Sequence, residues 1–450
     1  MDFINTFREA LKIPTWWPPE AKEGDREAEA PLLRFQGFLA GNFGAFHKAA
    51  QRYVLSPYSV IYRLPGSDGG SRAVLLVAHY DVVPVEKEKW SVDPFGAEMK
   101  DGFIYGRGSL DMKNTLVSIM EAADNLCAQG WKPKKDIWFA FGGDEERTGI
   151  FGAMDMAKWF SGKGQKFEWI LDEGTSISDD QIKGIDTPLA MISVEEKGFL
   201  SLDLTAAQEP GHASKPPKVQ AATVLARALC RLAEKPFPFR LNPTVETFYA
   251  LASAMTPGFR GFVMRHARAF GPLFFKLAAV NPASEAMLRT TVAMTQLEGS
   301  AADNVMPSQV RAVINLRLLR PQTVESAIAF VKKAIGDERV RVSAHGMGTN
   351  PVAASGEFRR GGKMREFPCG WTELQGAMEE AWPGIPLLPF IMTATTDSRH
   401  YQQMTGGIFR FSPYKLDLKE LGGIHGHDER ISVENLNRGL VFYSGLLRSL

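Results

Sequence analysis

Five short segments of this chain place histidines or carboxylates where an apolar run ends or a glycine loop begins. In Ala78-His79-Tyr80-Asp81 the acid and the histidine follow the apolar stretch 74–77, so both side chains leave an extended backbone on the same side. Imidazole is a frequent zinc ligand, and a carboxylate that accepts its second N–H fixes the tautomer. A structural histidine is the alternative. Asp111 closes Tyr-Gly-Arg-Gly-Ser-Leu-Asp just before a helical pattern, where a carboxylate could bridge two cations or cap the helix. Asp144, Glu145 and Glu146 are consecutive after Gly142 and Gly143, and three such acids repel one another unless cations are bound. Adjacent glutamates can then divide the tasks of ligand and general base. Asp172 and Glu173 repeat the arrangement at the end of another apolar run, and solvated surface acids are the competing reading for both clusters. Near the C-terminus, Gly-Ile-His-Gly-His-Asp-Glu-Arg offers His425 or His427 to complete a metal site.

Elements able to position these groups are legible. Apolar runs at 74–78, 136–141 and 169–172 predict strands, and Leu116, Ile119, Met120, Ala123 and Leu126 predict a helix over 115–129. A strand, crossover helix, strand unit implies helices packed on a mixed or parallel sheet, with ligands gathering beyond the carboxyl ends of the strands. The pattern changes after Glu196. Runs at 199–206, 291–297, 310–318 and 340–343 with helices at 219–233 and 324–335 give the β-α-β-β-α-β order of a split-βαβ unit. The expected fold is therefore α/β with two domains: a catalytic domain from 1–197 and 348–450, and an inserted, ferredoxin-like α+β lid from 198–347. The patterns at 374–381, 387–392, 407–411 and 433–450 return to the first domain. The Pro-, Phe- and Ala-rich segment 236–289 has no place in this scheme. Its Phe259, Phe262, Phe270, Leu273, Phe274 and Phe275 could line an acyl-chain groove, a subunit contact or a domain core.

Length and composition agree with two domains, since 450 residues exceed the roughly 250–300 at which one core stops growing. Lys and Arg (52) nearly balance Asp and Glu (51), so the overall charge points to neither nucleic acid nor an anionic membrane surface, and small molecules are the expected partners. Cys127, Cys230 and Cys369 form no CxxC pair, which suits a reducing compartment. Asp2, Arg8, Glu9 and Lys12 interrupt the first turns, and Arg265, His266, Arg268 and Lys276 interrupt the apolar stretch 262–280. Neither a signal peptide nor a membrane span is expected, and the predicted location is cytoplasmic.

The motifs LLVAHYDVVP, DPFGAEMKDGFIYGRGSLDMK, FAFGGDEERTG, LDEG, GHASKP, NVMP with INLR, TDSRHY and IHGHDERI occur in this order along most of the chain. In them the chain resembles the M20 metallopeptidases, most closely their carboxypeptidase S, Gly-X carboxypeptidase and N-fatty-acyl-amino-acid hydrolase branch. The resemblance implies a zinc-dependent exopeptidase-like catalytic domain holding two zinc ions. His79 and Asp172 would bind one, Glu146 and His425 the other, with Asp111 bridging. It makes Asp81 the partner of His79 and Glu145 the general base, and places a cis peptide after Asp111. His212 would stabilise the oxyanion, often in a partner subunit's site, with homodimerisation through the lid. Asn304 and Arg317 match substrate-binding positions, and Thr396, Asp397 and Arg399 a loop near the site. The implied substrate is a short peptide or N-acyl amino acid cleaved at the amide beside a free carboxylate, which a bidentate arginine suits. A long-chain N-fatty-acyl-amino-acid hydrolase/synthase is a narrower reading, and a non-catalytic metal-binding scaffold is the alternative from another class.

Overall fold

The computed structural model describes residues 2–450 apart from 19, 69–72, 148, 179–184, 186, 281, 354, 359–363 and 367. An eight-stranded mixed sheet runs in the order Gln51–Ser56, Ser59–Leu64, Asp136–Gly142, Ala73–His79, Trp169–Ser178, Ile408–Lys415, Leu189–Glu196, Leu387–Met392. The Ala73–His79 strand lies parallel to both Asp136–Gly142 and Trp169–Ser178. Every residue of Ala73–His79 and of Asp136–Gly142 is buried, and this explains their continuous apolar character, since both faces of the sheet are covered. Alternate residues divide between two cores: Val74, Leu76 and Ala78 pack with the Lys113–Ala128 and Val433–Arg448 helices, whereas Leu75 and Val77 pack with Met156 and Phe160 of Ala153–Gly162. Lys113–Ala128 is the crossover between parallel neighbours, so the carboxyl ends of Ala73–His79, Asp136–Gly142 and Trp169–Ser178 open on one edge of the sheet.

A second sheet of four antiparallel strands runs Thr291–Glu298, Gln309–Leu318, Gly198–Ala207, Val340–Ala344. Helices Ala221–Glu234 and Val324–Ile335 cover one face through Val224, Leu225, Ala228, Ala327 and Val331, which is the split-βαβ arrangement. The segment that periodicity left unplaced forms helices Pro243–Ala252, Gly258–Arg265, Ala267–Ala278 and Pro282–Leu288. Val245, Phe248 and Phe274 are fully buried there against Met191, Leu388, Phe390 and Ile391 of the large sheet's edge, so this part of the inserted chain packs back on the catalytic sheet. Burying each phenylalanine contributes about 2–3 kcal/mol. Phe248 and Phe274 are thus core residues, while Phe259 and Phe262 stay exposed. Among the described residues no helix is long and apolar enough to cross a membrane.

Candidate metal centre and active site

The carboxyl-terminal edge of the large sheet gathers the acids and histidines singled out above. His79 ends its strand 1% exposed. Its Nε2 lies 3.0 Å from Asp111 Oδ1 and 3.6 Å from Glu173 Oε1. The other oxygen of Asp111 lies 3.1 Å from His425 Nε2, which is also 3.1 Å from Glu146. One carboxylate therefore faces two histidines from its two sides. His425, at φ 59° and half exposed, reaches this cluster. The Asp111–Met112 peptide is cis.

The donors fit cations. Ligand atoms of His79, Asp111 and Glu146, and likewise of His79, Glu145 and Glu173, lie within 4.8 Å of one another. Burial and mutual repulsion push the carboxyls of Glu145, Glu146 and Glu173 above their ordinary range. Burial opposes charge on His79 as well, but Glu173, Asp111 and Asp81 outweigh it and raise its pKa. His425 is pushed up to about 10 by its hydrogen bonds to Asp111 and Glu146. Excess negative charge in a buried pocket that also presents two imidazoles is the electrostatic pattern of a site completed by divalent ions.

Asp172 and Glu173 face different partners. Its Oδ2 accepts the Ser398 N–H at 2.7 Å and its Oδ1 the Glu173 N–H at 2.8 Å. Glu173 turns its carboxylate towards His79 instead, because successive side chains of a strand point to opposite faces. Asp81 does more than orient a histidine. His79 Nδ1 is 3.0 Å from the Asp81 carbonyl and 3.3 Å from its Oδ1, while the same carboxylate accepts the N–H groups of Glu145 (3.2 Å) and Glu146 (3.0 Å). The preceding Gly143 is required by close approach: a Cβ there would come within 2.7–2.9 Å of the Tyr80 ring.

Glu429, which sequence reasoning did not single out, joins the two distant loops. Fully buried, it pairs with Arg107 Nη1 at 2.6 Å and accepts the N–H groups of Gly108, Leu110 and Asp111. It thereby holds the Asp111 loop against the loop of His425, four residues before it. Its signal was present as the acid of His-Asp-Glu-Arg, but nothing local distinguishes a buried clamp from a surface glutamate.

The profile of Peptidase family M20/M25/M40 matches residues 75–449. The chain belongs to the M20 peptidase family. It is similar to the N-fatty-acyl-amino acid synthase/hydrolase PM20D1 of Xenopus tropicalis, 34% identical over 99% of this chain and 85% of that protein. It is also similar to the probable carboxypeptidase S-like 2 of Dictyostelium discoideum, 32% identical over 96% and 81%. The fold is shared with an M20 family metallo-carboxypeptidase, Sso-CP2, of Sulfolobus solfataricus, with TM-score 0.70, 18% identity and coverage of 100% of this chain and 99% of that one. Human carnosine dipeptidase 1 gives TM-score 0.67, 16% identity and coverage of 99% and 95%. M20 enzymes use divalent metal ions, and this member is an amidohydrolase of the metallocarboxypeptidase kind.

In this M20 chain residues of the second, four-stranded sheet and its loops form a second group. His212 pairs with Val305 across a short antiparallel contact, the Ala213 N–H donates to the Asn304 carbonyl, and all of these are exposed. The His212 Nδ1 accepts the Ser214 N–H at 3.1 Å. Arg317 lies elsewhere, in the four-stranded sheet, its guanidinium 5.0 Å from the centre of the Phe199 ring, and its buried Nη1 has no hydrogen-bond partner among the described residues. Thr396 and Ser398, in the loop that also carries Asp397 and Arg399, tie that loop to the centre: Thr396 donates to Glu196 at 3.0 Å, and the Ser398 N–H caps Asp172.

Proposed function

We propose that the protein hydrolyses the amide bond next to a free carboxylate in N-acyl amino acids or short peptides, using two zinc ions and Glu145 as general base. The observation that carries this reading is Asp111, whose two oxygens face His79 and His425 from opposite sides. His425 and Glu146 would hold one ion and His79 the other, with Asp172 or with Glu173, whose Oε1 lies 3.6 Å from His79 Nε2 while Asp172 accepts the Ser398 N–H. Such ions polarise a carbonyl and lower the pKa of water. Glu145, beside His79 and Glu173, takes the proton of the attacking water and delivers it to the leaving amine. Arg317 and Arg399 grip the substrate carboxylate, and Asn304 binds the substrate from its own loop. The unpaired, buried nitrogen of Arg317 supports its role, because a buried donor gains most from a charged acceptor.

The catalytic unit is 1–197 with 348–450, and the lid is 198–347. The lid carries His212 to the oxyanion, in a homodimer to the partner's site, and the exposure of His212 supports this. The three free cysteines support a reducing, cytoplasmic setting. Similarity to PM20D1 favours long-chain N-acyl amino acids over dipeptides. The test is turnover of zinc-loaded protein on N-acyl amino acids of graded chain length and on glycyl dipeptides. Glu145→Gln should bind zinc normally and lose about 100- to 10,000-fold in kcat. Absence of hydrolysis on every such substrate by the zinc-loaded protein, or full activity in that variant, refutes the proposal.

A further inference from the structure

The near-zero net charge of the chain hides a local imbalance. From 247 to 284 there is no Asp or Glu, yet the stretch holds Arg260, Arg265, Arg268, Lys276 and His266. Among the described residues only Arg268 is paired with a carboxylate, that of Glu246, at 2.8 Å. Arg265 donates through Nε to the Ser253 hydroxyl and has no ion pair among the described residues.

The helices Gly258–Arg265 and Ala267–Ala278 are anchored from beneath. Val263, Met264, Ala267, Phe274 and Ala278 are buried in the core that reaches Leu388 and Phe390 of the large sheet. Their outer side is apolar as well: Phe259 is 64% and Phe262 51% exposed, with Leu273 and Val280 also in solvent. The Phe262 ring lies 5.5 Å from that of Phe270, so the apolar surface continues across the break between the helices. Positions 259, 262, 266, 269, 273, 276 and 280 are all exposed, on short helical pieces separated where the backbone leaves the helical conformation at His266 and again at Gly271 (φ 21°). These aromatics are not left over from an incomplete core, because the core side is already filled.

We infer that this face docks on an anionic lipid surface. Shallow helices with aromatic and aliphatic side chains on the outside and cations beside them lie in the headgroup region, where acyl boundary and negative charge are met together. A second copy of the chain is a poorer occupant, since a symmetric contact would set these cations against themselves. The inference does not depend on which amide the enzyme cleaves.

Zinc-loaded full-length protein should co-sediment with phosphatidylserine-containing vesicles, bind much less to pure phosphatidylcholine vesicles, and release as salt is raised. The double variant Phe259→Ser, Phe262→Ser should partition about tenfold more weakly. It should keep the wild-type melting temperature and turnover of a water-soluble short-chain substrate. Failure of the wild type to bind anionic vesicles overturns the inference, as does undiminished binding by the double variant. A change from dimer to monomer in the double variant, read by sedimentation, would also overturn it by assigning the face to a second copy.

Discussion

Replacing Asp81 by Asn isolates the task that the structure adds to this residue. The carboxylate accepts two backbone N–H groups, from Glu145 at 3.2 Å and Glu146 at 3.0 Å. An amide has one acceptor oxygen, so one of these N–H groups would face an NH2 group. His79 is less affected, because its Nδ1 also lies 3.0 Å from the Asp81 backbone carbonyl, which no side-chain substitution removes. A hydrogen bond to a charged acceptor is worth about 1.5–3 kcal/mol, and each 1.36 kcal/mol is a tenfold change in rate. Misplacing the Glu145–Glu146 backbone should therefore lower kcat by about 10- to 100-fold. Zinc should still bind when supplied in excess, and KM should change little, since no group that grips the substrate carboxylate moves. Steady-state kinetics on a zinc-loaded variant, with metal content measured in the same preparation, reads both quantities. Activity within twofold of wild type would refute the clamp, and loss of all metal would return Asp81 to the single task of orienting His79.

Glu173→Ala should lower zinc content, whereas Asp172→Ala should retain more zinc and lose activity through the freed Ser398 loop; the reverse order in elemental analysis would restore Asp172 as the ligand. Glu429→Ala leaves Arg107 buried without its partner and should cost about 3–5 kcal/mol of stability in denaturant unfolding, while an effect under about 1 kcal/mol would show that the loops are held otherwise. Lys197 donates through Nζ to the carbonyls of Ala286 and Arg289 at 2.9 Å, and burial, with a smaller contribution from Arg317, pushes it down to about 7. Between that value and the ordinary lysine pKa of about 10.4 the unfolded chain binds the extra proton, so this group makes stability rise with pH. The stability of Lys197→Met relative to wild type should accordingly fall as pH is raised from 7 to 9, by at most about 1.4 kcal/mol per unit. The lost hydrogen bonds shift the curve without tilting it, and a flat difference across that range would show that the ammonium is not disfavoured in the fold.

Much of the architecture was legible along the chain because it rests on local periodicity. The fully apolar strands around 75 and 139 announced a covered sheet, and the order of runs from 199 to 343 announced the split-βαβ unit, whose antiparallel sheet the structure shows strand for strand. Residue types at strand ends likewise marked the cluster of His79, Asp111, Glu145, Glu146 and His425. What periodicity could not reach was contact between segments far apart in sequence. The helices between 243 and 288 find their place against Met191, Leu388, Phe390 and Ile391, which lie far before and after them in the sequence. Glu429 acts on Gly108, Leu110 and Asp111 some 320 residues earlier. Asp172 and Glu173 are chemically almost interchangeable as neighbours in sequence, and only the facing of the strand and the Ser398 N–H separate them. The sequence by itself determined which chemistry the chain can hold, because that follows from residue types at element ends. Tertiary structure decided which of those groups meet, because distance and direction across a packed sheet are properties of the whole fold.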